Sequence, residues 1–185
     1  MSRHRTQHEL EEVISSYFGC KYLTKYIALT NGLVNETYLV DIKKNSNISQ
    51  YIIQKINKDI FPNPPSVIEN LNILLELKNN YDQKQKRADS KYHLTLPRLI
   101  INPETRKPFF KLDANYWKVT EFIANSYSIS KVTSMEQIKE IASYLGIFHL
   151  MTTSFEANRF VEPLSGFHSM SKYLDEFDSH NLNIY

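Results

Sequence analysis

The chain has 185 residues, 42% of them hydrophobic and 23% charged, with a net charge of +2 at neutral pH. That is enough chain to bury roughly two-thirds of its unfolded surface, as one domain or as one complete lobe and part of another, and too little charge to argue for nucleic acid or an anionic membrane. The single cysteine, Cys20, excludes an internal disulfide and a cysteine-rich zinc site and fits a reducing compartment.

The opening MSRHRTQHELEEV is polar and then acidic, without the apolar core of a signal peptide. No stretch approaches the ~18 apolar residues of a membrane span, so the cytoplasm is the expected compartment. Residues 6–18 put Leu10, Val13, Ile14 and Tyr17 on one helical face, with Thr6 and Glu9 spaced as a capping box. From Tyr22 to Asn57 the apolar period shortens to two. KYIAL, ETYLVDI and QYIIQKIN read as three antiparallel strands, joined by TNGLVN and by the polar KKNSNIS. Tyr38, Val40 and Ile42 share one face of the second strand.

In FPNPPSVIENLNILLELK the prolines stop the strand and prepare a helix. Ser66 and Glu69 form a second capping box ahead of Val67, Leu71, Leu74 and Leu75, and the helix is expected to run to about Lys78. NNYDQKQKRADSKY reads as a solvated loop. LTLPRLIIN, KPFFKL and NYWKVTEFI carry two or three further strand signals, separated by Asn-Pro and Asp-Ala-Asn turns. TSMEQIKEIASYLGIFHLM is a helix with Ile138, Ile141, Ala142, Leu145 and Phe148 on one side, and MSKYLDEF begins another.

Strands gathered early around one helix, followed by helices alone, indicate an α+β protein rather than a parallel α/β sheet. The expected organisation is a helix over 1–21, a lobe over 22–123 with a five- to six-stranded antiparallel sheet and one packed helix, and a helical part over 124–185. Four scattered glycines (Gly19, Gly32, Gly146, Gly166) cannot spell GxGxxG or a Walker phosphate loop, which removes the Rossmann and P-loop readings.

NGLVNETYLV, YIIQKIN, IFPNPPSVIENL, NYWKVTEFI and GFH, in this order, resemble the amino-terminal half of the aminoglycoside phosphotransferase superfamily, which is protein-kinase-like, and most nearly its N-acetylhexosamine 1-kinase branch. The likeness spans about Ile27 to Phe177. It implies an ATP-binding lobe in which the first strand-to-strand loop covers the triphosphate. Asn31 and Gly32 would supply positive φ values there, and Asn35 and Thr37 side-chain donors; the same Asn-Gly is also an ordinary hairpin signal. The third strand would bring a cation to the phosphates. Lys55 is the obvious candidate, or a solvated lysine, while Gln54 stands about where the family has its Lys or Arg; alternation points these two residues to opposite faces. Glu69 would orient the phosphate-binding cation or serve the cap of its helix. Adenine would be read by main-chain groups of Glu121, Phe122 and Ile123, with Thr120 behind the ring. His168 would border the sugar pocket or act as a capping or surface histidine.

The family also implies Mg²⁺, an H-x-D loop and a later acidic metal motif. None of the six histidines (positions 4, 8, 93, 149, 168 and 180) has Asp two residues on, and neither D-F-G nor D-x-D occurs. The expectation is the first part of a sugar kinase that stops before its chemistry. It would be inactive alone, with apolar faces near Leu145, Phe148 and Tyr173 left uncovered and favouring self-association. The competing reading is a non-catalytic, pseudokinase-like interaction module. A nucleic-acid role for Lys43, Lys44, Lys84, Lys86 and Arg87 is opposed by the near-neutral charge.

Overall fold

Residues 3–19, 23–30, 32–44, 46–85, 92–153 and 155–181 are described by a computed structural model. The first helix, α1 (Arg3–Phe18), starts before Thr6, so Thr6 and Glu9 lie inside it and form no cap. Both are instead buried beneath the helix, on the side that carries Leu10, Val13 and Ile14 into the core. Gly19 ends the helix at φ 69°, donating its N–H to the Ser15 carbonyl at 2.9 Å, a conformation that glycine adopts without steric cost.

Three strands follow: β1 (Leu23–Ala28), β2 (Glu36–Lys44) and β3 (Asn47–Lys55). The β2–β3 ladder extends out to the pair Lys44–Asn47, so the expected KKNSNIS loop is mostly strand closed by a tight turn. The second helix, α2 (Pro64–Gln85), begins two residues before Ser66. Proline suits this first turn because its missing N–H would have no helical partner. The Ser66–Glu69 box therefore does not form. Ser66 is buried and donates to the Asn63 carbonyl at 2.7 Å, and Glu69 is exposed. The helix also outruns Lys78 by two turns, so residues 79–85 are helical rather than looped, with a Lys78–Asp82 ion pair spanning the extension.

β4 (Phe110–Leu112) and β5 (Asn115–Glu121) close a five-stranded, wholly antiparallel sheet in the order β1-β2-β3-β5-β4. The third strand signal, LTLPRLIIN, contributes a bridge from Leu99 to Thr120 and two main-chain bonds beside β5, but no strand. Pro97 has no N–H with which to extend that ladder.

One face of the sheet is sealed by α1. Leu10, Val13, Ile14 and Tyr17 pack on Tyr38, Val40, Ile42, Ile53, Trp117 and Val119. The helix over 1–21 is thus part of the same core as the strands, and two helices pack on the sheet where one was expected. A second cluster (Ile56, Ile68, Leu99, Phe109, with Tyr116) ties α2 to the other side at one end. Asn102, fully buried, stitches the layers. Its side-chain amide donates to the Ser16 carbonyl of α1 at 3.2 Å, and its oxygen accepts from the Glu104 and Thr105 N–H groups.

The carboxy-terminal helices are α3 (Met135–Thr152), capped by Ser134, and α4 (Met170–Asn181). Their apolar stripes are not covered among the described residues. Ile138, Ile141 and Leu145 on α3, and Leu174 and Phe177 on α4, are each about half exposed or more. No helix among the described residues is long and apolar enough to cross a membrane.

Candidate functional site

In an antiparallel sheet, directly paired residues point to the same face, so the register sorts the candidate side chains. Lys55 pairs with Trp117 and Glu36 and belongs to the α1 face. Its ammonium lies 3.4 Å from a Glu9 oxygen and 3.6 Å from a Glu36 oxygen, with the Trp117 ring 5.4 Å away, and the residue is only 8% exposed. It is not a solvated lysine: it closes a buried ionic link between helix and sheet, and it borders a cleft of about 270 Å³ shared with Val34, Glu36, Asn57 and Asn115.

Gln54 lies on the opposite face, paired with Thr37 on one side and Lys118 on the other. The next row is Ile27, Leu39, Ile52 and Thr120, and beyond it stand Lys25, Asp41 and Gln50. This face is open. Ile27 is 46% exposed, Leu39 and Ile52 are partly exposed, and buried Thr120 forms the floor between β3 and the Leu99 segment. The face therefore combines an apolar platform with a polar row at one end, the combination that orients a ligand with a flat apolar part and a charged part.

The loop between β1 and β2 joins the two strands at the Thr37–Gln54 end of that face. It is the TNGLVN connection read from the sequence: Leu29 N–H still bonds the Thr37 carbonyl at 2.8 Å, and the loop closes beyond that pair. Gly32 has no positive φ, a correction to the expected turn geometry, and Asn31 lies outside the described residues. The loop is held by its own polar groups. Asn35 Oδ1 accepts the Asn57 N–H at 3.0 Å, Thr37 Oγ1 donates to the Asn35 carbonyl at 3.3 Å, and Gln54 Nε2 donates to Thr37 Oγ1 at 2.9 Å. Asn35 and Thr37 thus spend these contacts on shaping the loop. A cleft of about 330 Å³ lies against the loop itself, lined by residues 28–30 and 32–38, with Glu36 and Tyr38 of the α1 face among them and neither Gln54 nor Lys118.

At the far end of the platform stand the three residues with main-chain groups expected to meet a ring, and the N–H groups of two of them are occupied. Glu121 N–H bonds the Arg98 carbonyl at 2.9 Å and Phe122 N–H reaches the Gln50 carbonyl at 3.3 Å. The Ile123 N–H has no main-chain partner among the described residues. The Glu121 side chain pairs with Arg98, whose guanidinium holds the carboxyl below the usual carboxylate range. Glu69 lines a different recess, with Lys107, Phe109, Lys111 and Tyr116, and makes no ion pair with Lys55. His168 is exposed just before α4, edge-on to Phe167, with no described contact to the sheet.

Lys118 is the residue that sequence reasoning missed. It sits in the Thr37–Gln54 row, partly buried, with no ion-pair or hydrogen-bond partner among the described residues, and desolvation pushes its pKa down. The signal was available: Lys118 is two residues before Thr120 in a strand, so the two share a face.

No three His, Cys, Asp or Glu side chains converge among the described residues, so the donor set present does not fit a Mg²⁺ site and no step through a metal is derived. No family model matches the chain, and no curated protein matches its sequence.

Proposed function

We propose that this chain is the ATP-binding lobe of a small-molecule phosphotransferase, of the kind that phosphorylates a sugar such as an N-acetylhexosamine. Its adenine would lie on the Ile27–Leu39–Ile52–Thr120 platform and its phosphates beneath the β1–β2 arch. One observation carries the reading: the sheet is sealed by α1 on one face only. The other face offers partly exposed apolar side chains between the β1–β2 loop and the Ile123 N–H, with a lysine, Lys118, in the Thr37–Gln54 row that has no ion-pair partner among the described residues. A planar, hydrophobic, anionic ligand matches each part by burial, hydrogen bonding and charge. Catalysis would need a base and metal ligands beyond those described here, so the lobe alone is expected to bind without turnover.

The test is thermal unfolding with and without nucleotide. At ATP about 100-fold above its dissociation constant, binding to the native state adds ~2.7 kcal/mol, which at 2–4 °C per kcal/mol raises Tm by roughly 5–11 °C. No shift at millimolar ATP refutes the reading.

The exposed stripes of α3 and α4 favour a second reading, a non-catalytic module that uses these helices to hold a partner or a second copy. It gains if ATP leaves Tm unmoved while the chain sediments as a concentration-dependent oligomer.

A further inference from the structure

We propose that the anionic end of the bound ligand is met by Lys118 on β5, and not by a cation on β3. The inference rests on the nucleotide reading above and deepens it by naming the residue that recognises the phosphates.

Three observations converge. First, the β3 lysine is already committed: Lys55 is buried on the α1 face between Glu9 and Glu36, with the sheet itself between it and the platform. Second, the β3 residue on the platform face, Gln54, carries no charge, and its amide donates to Thr37. Third, the residue directly across from Gln54 is Lys118, whose side chain belongs to the same face. Its row neighbours, Thr37 and Gln54, are neutral, and no described acidic side chain comes within ion-pair distance of it.

A lysine held partly out of water without a counter-ion costs stability, because its charged form loses hydration and gains no partner. An anion seated under the arch supplies that partner. Moving the cation from the central strand β3 to its neighbour β5, in the same cross-strand row, shifts the positive charge one strand spacing, ~4.8 Å, away from β2 and keeps it facing the platform. A lysine stem spans such a displacement, whereas reversal of β3 to expose Lys55 would turn the buried Ile53 outward along with it.

The experiment compares adenosine with ATP on the wild-type chain, Lys118→Met, Lys118→Arg and Lys55→Met, by isothermal titration calorimetry, with Tm of each ligand-free protein recorded in parallel. The expected result is that wild type binds ATP more tightly than adenosine. Lys118→Met should retain adenosine affinity within twofold and lose at least tenfold for ATP. Lys118→Arg should restore most of that loss. Ligand-free Lys118→Met should melt at or above the wild-type temperature, which shows that its lost affinity is not unfolding. If wild type binds ATP and Lys118→Met binds it equally well, the role of Lys118 is overturned while the nucleotide reading stands. If Lys55→Met, still folded, loses the ATP preference instead, the cation belongs on β3 and the proposal fails. If wild type binds neither compound, both the nucleotide reading and this inference fall together.

Discussion

Replacing Lys55 with methionine separates a structural lysine from a ligand-binding one. The ammonium is held 3.4 Å from Glu9 and 3.6 Å from Glu36, under a residue exposure of 8%. Removing one partner of a buried pair leaves the other charge uncompensated and costs about 3–5 kcal/mol. Two features reduce that here. Glu36 is 42% exposed on its side chain and can turn to water, and both separations exceed the ~2.8 Å of a strong charge-assisted bond. Glu9 is different: its side chain is 11% exposed, and its remaining partner, Arg5, stands 3.7 Å away and is itself 67% exposed. Methionine keeps an apolar stem against Trp117, so the packing term is nearly conserved.

The expected loss is therefore near the lower end, about 3 kcal/mol, or roughly 6–12 °C in Tm for a chain of this size. Guanidinium denaturation monitored by Trp117 fluorescence would read it, with the denaturant slope unchanged if only stability has moved. Adding Glu9→Leu should recover a large part of the loss, because the orphaned carboxylate is removed with its partner. A loss below ~1 kcal/mol for Lys55→Met, in the range of a surface ion pair, would refute the buried link.

Two further outcomes follow from the same architecture. Leu10 is fully buried in the cluster that α1 shares with β2, β3 and β5, so Leu10→Ala should lower the cooperative unfolding free energy by about 3 kcal/mol; a frayed helix over an undisturbed sheet, seen by hydrogen exchange, would show that α1 is an appendage. The Arg98–Glu121 pair lowers the Glu121 carboxyl pKa, so its stabilisation is present above the ordinary carboxylate range and is lost as pH falls through the depressed folded value. Both partners are largely exposed, so the pair should contribute under ~1 kcal/mol and weaken with salt; NMR titration of Arg98→Ala should return the carboxyl to its usual range.

What the sequence shows well is what depends on local period. The α1 stripe, the shared face of Tyr38, Val40 and Ile42, and the strand order through β3 all follow from apolar spacing, and each is buried as spaced. What it shows poorly is where a pattern stops. The Thr6–Glu9 and Ser66–Glu69 spacings mimic capping boxes, yet both helices begin earlier, since proline at position 64 and the polar residues before Thr6 are compatible with a first helical turn. The TNGLVN connection is legible, but not the bonds that hold it, Asn35 to the Asn57 N–H and Thr37 to the Asn35 carbonyl, because one of them reaches a residue 22 positions away.

The candidate site failed at a different link. Alternation states that Gln54 and Lys55 face opposite ways, and that Lys118 and Thr120 face the same way, and both statements hold. It does not state which face is sealed. That depends on where a helix ending 29 residues before β3 begins comes to rest, a long-range fact with no local signature. Once α1 covers Trp117 and Val119, these two side chains are core, and Lys118 and Thr120 face the platform. Lys55 is then bound to serve the fold, and the only lysine directly beside Gln54 in its cross-strand row is Lys118. A charged group on the open face, beside the arch and without a partner, is poorly explained as packing, because a neutral side chain of the same length would fill the position without the desolvation that lowers its pKa. That cost, beside the neutral Thr37 and Gln54 and with no ion-pair partner among the described residues, is the ground on which the proposal for Lys118 stands.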